Sequence, residues 1–542
     1  MGGGLMQLVA SGAQDVYLTG NPQITFFKVV YRRHTNFSME SIIQDINGIS
    51  DYGTKVSSTI SRNGDLIHKM YLNIIPIFEE SKANTYALPN NYGHMLIDYA
   101  DIEIGGQLID RIHGHWIEVW SRLSTKNDIG NIGVYSNNMQ TPLTTYQQLS
   151  GAGGVYYLAG VDALNYNFNN GFYEINSGIL EENNNIPGML TVPLPYWFCR
   201  FPGLSIPLIA LQYHEIKLKI QYSPKNKLNL GHSFNNQGLN DPTSDEYNVI
   251  KHIKSALNDT NLESLESTPF DDGDNDDIKK LPNFNIELWV DYIYLDTDER
   301  RRFAQVPHEY LIEQVQRYEL TVNTSNLKQQ TSGSRTIDIP QQVADLNFNH
   351  PVKELIFAYD WDNNGCIPGL GCSDTKLTLK LNGIDRFNPE MPLNYFTRLQ
   401  THNYHTGPGN IYGTKYKQNT DGLICGKTPT GSEDLLLNYL YNNDSDYDKD
   451  ILKKITSVKD IIYDSIGVYS FALKPEEHQP SGTCNFSRID SAKLYIQNLK
   501  KWNPIEDDKQ PPVGDVHNLH IYARNYNILR IMSGMAGLAY SN

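Results

Sequence analysis

The chain has 542 residues, 45 basic and 61 acidic side chains for a formal net charge of −16, and 39% hydrophobic and 11% aromatic content. That length suggests three or four ordinary domains with real cores, and the acidic balance argues against a whole surface that binds nucleic-acid phosphates, which need cations to neutralise them. The five cysteines, Cys199, Cys366, Cys372, Cys425 and Cys484, form no Cys-x-x-Cys pair and read as a reduced, intracellular set rather than a disulfide framework.

Met1 to Ala13 opens with three glycines and lacks the charged and apolar regions of a signal peptide. Gly2 would accept a myristoyl group only with Ser or Thr at position 6, where Met6 stands, so the segment reads as a flexible arm. Gly20-Asn21-Pro22 then breaks the chain, because Pro22 fixes its own φ and turns Asn21 away from helix. Ile24 to Tyr31 is β-branched and aromatic, which predicts a well-buried strand closed by Arg32, Arg33 and His34. Further strands are predicted over Thr54–Arg62, Lys69–Ile77, Met95–Ile104, Glu215–Tyr222 and Glu287–Leu295, with short helices over His115–Leu123 and Pro392–Leu399. Asp296 to Ala304 reads as a capped connector helix. No stretch approaches the roughly 18 to 20 apolar residues of a membrane span. The 35 tyrosines suit β-sheets and subunit interfaces, although a tyrosine-rich sandwich core would look the same.

The chain carries one plan twice. Asp110-Arg111 follows a strand and a glycine turn, and so does Asp385-Arg386, 275 residues later (385 − 110). Lys217-Leu-Lys-Ile-Gln221 matches Lys493-Leu-Tyr-Ile-Gln497 at 276 (493 − 217). For the strand at Glu287 and its counterpart at Asn518 the offset falls to 231 (518 − 287), so the first copy holds an insertion of about 45 residues before its last strand. The polar, acidic run Ser223 to Asn283 is that insertion. Two more long loops, Thr125 to Pro187 and Thr401 to Asp460, follow the two helices, and loops of this length usually have work to do. Two β-units of about 250 residues fit a pair of sandwiches, and jelly rolls tolerate such excursions. The repeat alone does not separate a jelly roll from another sandwich.

Two strings at opposite ends of the chain supply that step. Gln14-Asp-Val-Tyr-Leu-Thr-Gly-Asn-Pro-Gln-Ile-Thr-Phe-Phe-Lys-Val-Val-Tyr-Arg-Arg-His-Thr-Asn-Phe37 and Tyr522-Ala-Arg-Asn-Tyr-Asn-Ile-Leu-Arg-Ile-Met-Ser-Gly-Met-Ala-Gly-Leu-Ala-Tyr-Ser-Asn542 resemble the termini of the major capsid proteins of large icosahedral eukaryotic DNA viruses. Val468 to Ser487 resembles the second-domain signature of that family, and Asp291 to Phe303 its domain junction. The resemblance implies an all-β chain of two tandem eight-stranded jelly rolls with short helices and long loop insertions. The expected division is an arm over 1–24, jelly roll 1 over 25–296, a linker over 297–308 and jelly roll 2 over 309–542. It also implies a non-enzymatic shell subunit that assembles as a homotrimer into pseudo-hexagonal capsomers of an icosahedral capsid. The expected partners are copies of itself, minor capsid and penton proteins and the inner membrane beneath the shell, with no specific nucleic-acid binding. Assembly is expected in the host cytoplasm.

Several motifs invite other chemistry. His113-Gly-His115 with Glu118 is the metal candidate of a bicupin enzyme, the rival that also duplicates a jelly roll, but Trp116 to Leu123 reads as an amphipathic helix rather than a strand. Gly422-Leu-Ile-Cys-Gly-Lys-Thr428 has three residues between its glycines where a phosphate loop needs four. Asp271 to Asp277 puts Asp277 where an EF-hand requires glycine and reads as a solvated acidic loop. Arg32-Arg33 and Arg300-Arg301-Arg302 suit a nucleic acid, an inner membrane or ion pairs with neighbouring subunits. Of the glycosylation sequons at Asn36, Asn258, Asn323, Asn443 and Asn485, only Asn258 and Asn443 fall in loops expected to be exposed. No catalytic, cofactor or metal residue is assigned. A minor capsid or spike protein of the same fold is the remaining alternative.

Overall fold

A computed structural model describes residues 21–77, 91–125, 190–228, 281–323, 341–361, 375–407, 465–497 and 516–540, apart from isolated positions within these spans, together with short pieces elsewhere. Among the described residues, eight strands build the two main sheets of the first domain, besides short pieces of two or three residues: β1 (Phe37–Gln44), β2 (Lys55–Thr59), β3 (Leu66–Ile77), β4 (Ile97–Ile104), β5 (Gln107–His113), β6 (Leu190–Pro193), β7 (Ile216–Tyr222) and β8 (Asn283–Leu295). Helix α1 (Gly114–Ser124) leaves the end of β5, and α2 (Thr297–Gln305) leaves the end of β8. The second domain repeats the order with β9 (His308–Asn323), β10 (Gln342–Asp345), β11 (Pro351–Tyr359), β12 (Lys376–Leu381), β13 (Ile384–Asp385), β14 (Ile466–Ser470), β15 (Ala492–Gln497) and β16 (Val516–Met532). A π-turn over Tyr395–Leu399 runs into α3 (Gln400–Tyr404), and β17 (Met535–Leu538) folds back on β16.

The sheets pair β1-β8-β3-β6 against β2-β7-β4-β5, and β9-β16-β11-β14 against β10-β15-β12-β13. Each strand of the first domain therefore has its counterpart eight strands later, in the same sheet position. This is the two-sheet packing of a jelly roll, used twice. The hairpin β4–β5 turns on Gly105 and Gly106 and the hairpin β12–β13 on Asn382 and Gly383, all with positive φ, as a two-residue turn that follows strand twist requires. A Cβ on Gly105 would sit 2.3 Å from the His214 ring, so this turn admits glycine alone.

Alternation divides the strands into faces. Along β7, Ile216, Leu218, Ile220 and Tyr222 are buried while Lys217 and Lys219 are not, as expected for a sheet with one wet face. In β11 every residue from Val352 to Tyr359 is buried, because the sheet β9-β16-β11-β14 has a core on one side and the first domain on the other. Leu355, Phe357, Leu519 and Ile521 belong to the second domain's own core. Ile312, Ile356, Ala358, Ile466 and Tyr522 instead join the buried cluster of the first domain.

Two expectations are corrected. The described residues of Ile24 to Tyr31 form no strand, since pairing among the described residues begins at Phe37 and Phe26, Phe27 and Tyr31 are 87%, 97% and 86% exposed. The propensity of such residues reports fit to a half-buried pleated surface, and the single chain offers this segment no partner strand among the described residues. The second helix largely fills its expected span but starts one residue late, because Met391 and Pro392 pair with Leu377 and Lys376 of β12, and it runs on past Leu399 through α3. Thr401 to Tyr404 accordingly belongs to α3 and not to a loop. Of the three long loops, only the ends lie within the described residues, together with the short strands Val134–Ser136, Met139–Thr141 and Val155–Tyr156 in the first loop, and the arm Met1 to Ala13 lies outside them. Among the described residues no helix is long and apolar enough to cross a membrane.

Candidate functional site: the seam between the two domains

An extended buried polar assembly lies between the jelly rolls. Strand β9 runs alongside β5 in the same direction: Gln314 Nε2 donates to the Ile109 carbonyl (2.5 Å), the Val315 N–H to Asp110 Oδ1 (3.3 Å), and Arg317 Nη1 lies 3.2 Å from His113 Nδ1. The two domains therefore point the same way. Burial pushes the Asp110 carboxyl up to about 8, which keeps it largely protonated at neutral pH.

Helix α1 forms the first domain's side of the seam. His115 Nε2 donates to the Tyr359 carbonyl (2.8 Å), so Nδ1 is left to accept the Tyr522 hydroxyl at 2.8 Å. Burial and the neighbouring His520 hold the His115 pKa down at about 3, leaving the ring neutral. One turn on, Trp120 stacks on Trp116 and carries the Arg524 guanidinium 3.9 Å over its ring. Glu118 accepts from His94 Nδ1 (2.7 Å) and Arg122 Nε (2.6 Å) inside the first domain. Burial opposes its charge, but Arg122 and His94 outweigh that and hold it at about 2.

The centre of the seam is ionic. Arg524 of β16 donates to Glu313 Oε2 (2.5 Å) and Glu354 Oε1 (2.6 Å), Lys353 to Glu313 Oε1 (2.6 Å), and Arg200 of the first domain to Glu313 Oε2 (2.5 Å). Lys353 reaches this site because the β11–β16 register shifts between Val352 and Glu354, a bulge that re-aims a side chain. Burial opposes both carboxylates, yet Arg524, Arg200 and Lys353 hold Glu313 at about 2, and His405 and Arg524 hold Glu354 at about 2. His405 lies 3.1 Å from Glu354 Oε2 and 3.0 Å from Glu476 Oε1, and these two carboxylates raise its pKa against the opposing effect of burial. Burial and the nearby Arg524 lower the Lys353 ammonium to about 8, with Glu313 opposing them.

The C-terminal hairpin closes the seam. Tyr213 N–H donates to the Gly534 carbonyl (3.0 Å), Ala536 N–H to His214 Nδ1 (3.1 Å) and Leu538 N–H to Gln107 Oε1 (3.4 Å). The seam spends its buried charges on pairing with one another. It joins two similar domains into one rigid block in a fixed orientation.

The metal candidates do not converge. His113 faces Arg317, His115 faces Tyr522 and Tyr359, and Glu118 is taken by Arg122 and His94. His115 is thus a seam residue on a helix rather than a ligand on a strand. Arg300 pairs with Asp65 Oδ1 at 2.8 Å, while Arg32, Arg33, Arg301 and Arg302 are not buried. Asn36 is exposed ahead of β1, and Asn485 accepts from the Ser487 N–H to cap a 3₁₀ turn. Asn258, Asn443, Asp271 to Asp277 and Gly422 to Thr428 lie outside the described residues. Sequence reasoning missed Glu313, Lys353, Glu354 and Arg524. Their one signal is charge inside otherwise apolar strand runs, as in Val352-Lys-Glu-Leu-Ile-Phe-Ala-Tyr359.

Comparison with known proteins follows the same two-part division. Residues 25–296 match the family model described as the major capsid protein N-terminus, and residues 299–368 and 459–537 match that of the large eukaryotic DNA virus major capsid protein. The major capsid protein of Pyramimonas orientalis virus is 38% identical and that of Paramecium bursaria Chlorella virus 1 is 34% identical, each over the whole of both chains. A crystal structure of PBCV-1 VP54, fitted into a cryo-EM reconstruction of the virophage Sputnik, superposes with a TM-score of 0.58 at 28% identity, covering 96% of this chain and all of that one.

Proposed function

Because this chain belongs to the family of large eukaryotic DNA virus major capsid proteins, we propose that its working unit is a homotrimeric, pseudo-hexagonal capsomer. The protein is a structural component of the virion shell that assembles with copies of itself, and it is not an enzyme. The observation that carries the trimer is the seam: two jelly rolls of one topology, pointing the same way, locked by buried ion pairs. Three such blocks present six similar units, hence a nearly hexagonal outline that tiles flat facets. The working division is an arm over 1–24, jelly roll 1 over 25–296, a linker over 297–308 and jelly roll 2 over 309–542. Helix α2 supports a linker there, because Asp296 Oδ1 caps it by accepting the Glu299 N–H at 2.9 Å.

Minor capsid and penton proteins, and the inner membrane beneath the shell, are the further partners, with assembly in the host cytoplasm. Asn258 and Asn443 are the glycan acceptors on the outer loops. The copy number of this chain in purified particles tests the main reading. A major subunit dominates the protein mass of the particle, whereas a few copies per vertex would make it a minor or spike component.

A further inference from the structure

Among the described residues, each chain has one filled seam and, by its own repeat, both halves of a second one left open. In the filled seam the outward face of β9-β16-β11-β14 receives Trp116 and Trp120 of α1, which close on Tyr522 and Arg524. The matching sheet of the first domain, β1-β8-β3-β6, has the same outward face. Ile42 and Gln44 of β1 turn toward its core, while the alternate residues Phe37, Met39 and Ile43 are 51%, 47% and 49% exposed. In register they lie opposite Leu295, Ile293 and Trp289 of β8, of which Ile293 is buried and the other two half-buried, so the open part of the strip is its β1 edge. This apolar strip has no cover within the described residues of the chain.

The missing cover has a counterpart too. At the 275-residue offset set by Asp110 and Asp385, Trp116 and Trp120 fall at Met391, which is strand-paired with Leu377, and at Tyr395, which opens the π-turn. In the second domain these two do not enter a seam. They line an open groove of about 540 Å³ together with Pro392, Arg398, Leu399 and His402. The groove is mostly apolar, as the strip is, and its cationic Arg398 is opposite in sign to Asp291, which lies in the strip beside Ser41.

The geometry points to a second seam between chains, in which the Met391–His402 groove of one copy receives the β1–β8 strip of the next copy. This inference rests on the capsomer reading and names the surfaces that would build it. Groove and strip are different surfaces, so the contact is heterologous and yields a ring once the rotation closes. Jelly rolls 1 and 2 then alternate around that ring, joined in turn by an ionic seam within a chain and an apolar seam between chains. A second copy fits better than an unrelated partner, because the chain already shows how this sheet face is covered by the segment that follows the fifth strand of a jelly roll.

Two variants test it, read by native mass spectrometry of the full chain at micromolar concentration. Phe37→Asp with Met39→Asp spoils the strip and leaves the groove intact. Leu399→Asp spoils the groove and leaves the strip intact. Both sites are about half exposed in the single chain, and far-UV circular dichroism checks that each variant is folded; Leu399→Ala replaces Leu399→Asp if it is not. Each variant alone should lose the trimer, and an equimolar mixture should give a 1:1 heterodimer that grows no further. A trimer from either variant alone, or a mixture that stays monomeric, overturns the inference. So do variants that trimerise normally but fail to enter particles, which would give the strip to another capsid component. Wild-type protein run beside them separates the two readings. A trimeric wild type with trimeric variants removes only this seam, whereas a monomeric wild type removes the capsomer reading itself.

Discussion

Replacing Arg524 with leucine removes the cation that touches both buried glutamates of the seam. In Arg524→Leu, Glu354 keeps His405 at 3.1 Å, and Glu313 keeps Lys353 and Arg200 at 2.6 and 2.5 Å. Removing one partner of a buried pair leaves charge without compensation and typically costs about 3–5 kcal/mol. The cation held 3.9 Å over the Trp120 ring is lost as well. The pH dependence gives an independent estimate. Glu313 and Glu354 are held at about 2, below the ordinary 4.5, so they contribute stability that is present above pH 4.5 and lost as pH falls toward 2. At 1.36 kcal/mol per pH unit that is on the order of 3 kcal/mol for each carboxylate. Urea unfolding followed by tryptophan fluorescence suits the question, because Trp116 and Trp120 both line the seam. The variant should lose about 3–5 kcal/mol at pH 7 and show a flatter loss between pH 5 and pH 3. Lys474→Ala, which breaks the exposed Lys474–Glu477 pair, should change stability by no more than about 0.5 kcal/mol. A loss below about 1 kcal/mol in Arg524→Leu would refute the claim that the seam depends on its buried ions.

Three further outcomes are expected. Gly534→Val should cost about 1–3 kcal/mol and expose the C-terminal hairpin to protease, because Gly534 has φ +80° and a Cβ there would lie 2.6 Å from Tyr213; unchanged stability and proteolysis would contradict the clasp. His115→Phe should destabilise the protein by about 1–3 kcal/mol at pH 7 through the lost bonds to Tyr522 and Tyr359. His115 is held at about 3, so wild-type stability falls as pH drops from about 6.5 toward 3 while this variant is spared that part; a gap that widens rather than narrows in denaturant titrations from pH 7 to pH 4 would contradict a neutral seam histidine. Limited proteolysis of intact particles should cut first within residues 125–187, 223–283 and 405–460 while residues 14–37 and 522–542 stay protected; the reverse order would turn the block upside down.

The fold was legible where a local rule and the repeat agreed. Lys217 to Gln221 and Lys493 to Gln497 occupy equivalent central strands, β7 and β15, and Asp110 and Asp385 lie on the second strands of equivalent hairpins. The jelly-roll pairing itself needed the family strings, because strand propensity says nothing of which strands are neighbours. Ile24 to Tyr31 misled because propensity anticipates a partner that the described residues of the single chain do not hold. The seam was the least legible part. Glu313, Glu354 and Arg524 look like solvated charges in a linear reading, and only a sheet buried on both faces brings Arg524 within 2.6 Å of both glutamates. His115 was visible as a candidate, but its partners Tyr359 and Tyr522 lie more than 240 residues away.

The central claim is that this chain forms a three-block ring. The mass of the purified protein in solution tests that claim most directly. The account predicts a single species of about three times 61.6 kDa at micromolar concentration, as a large obligate interface would maintain. A well-behaved monomer of 61.6 kDa under the same conditions would contradict it.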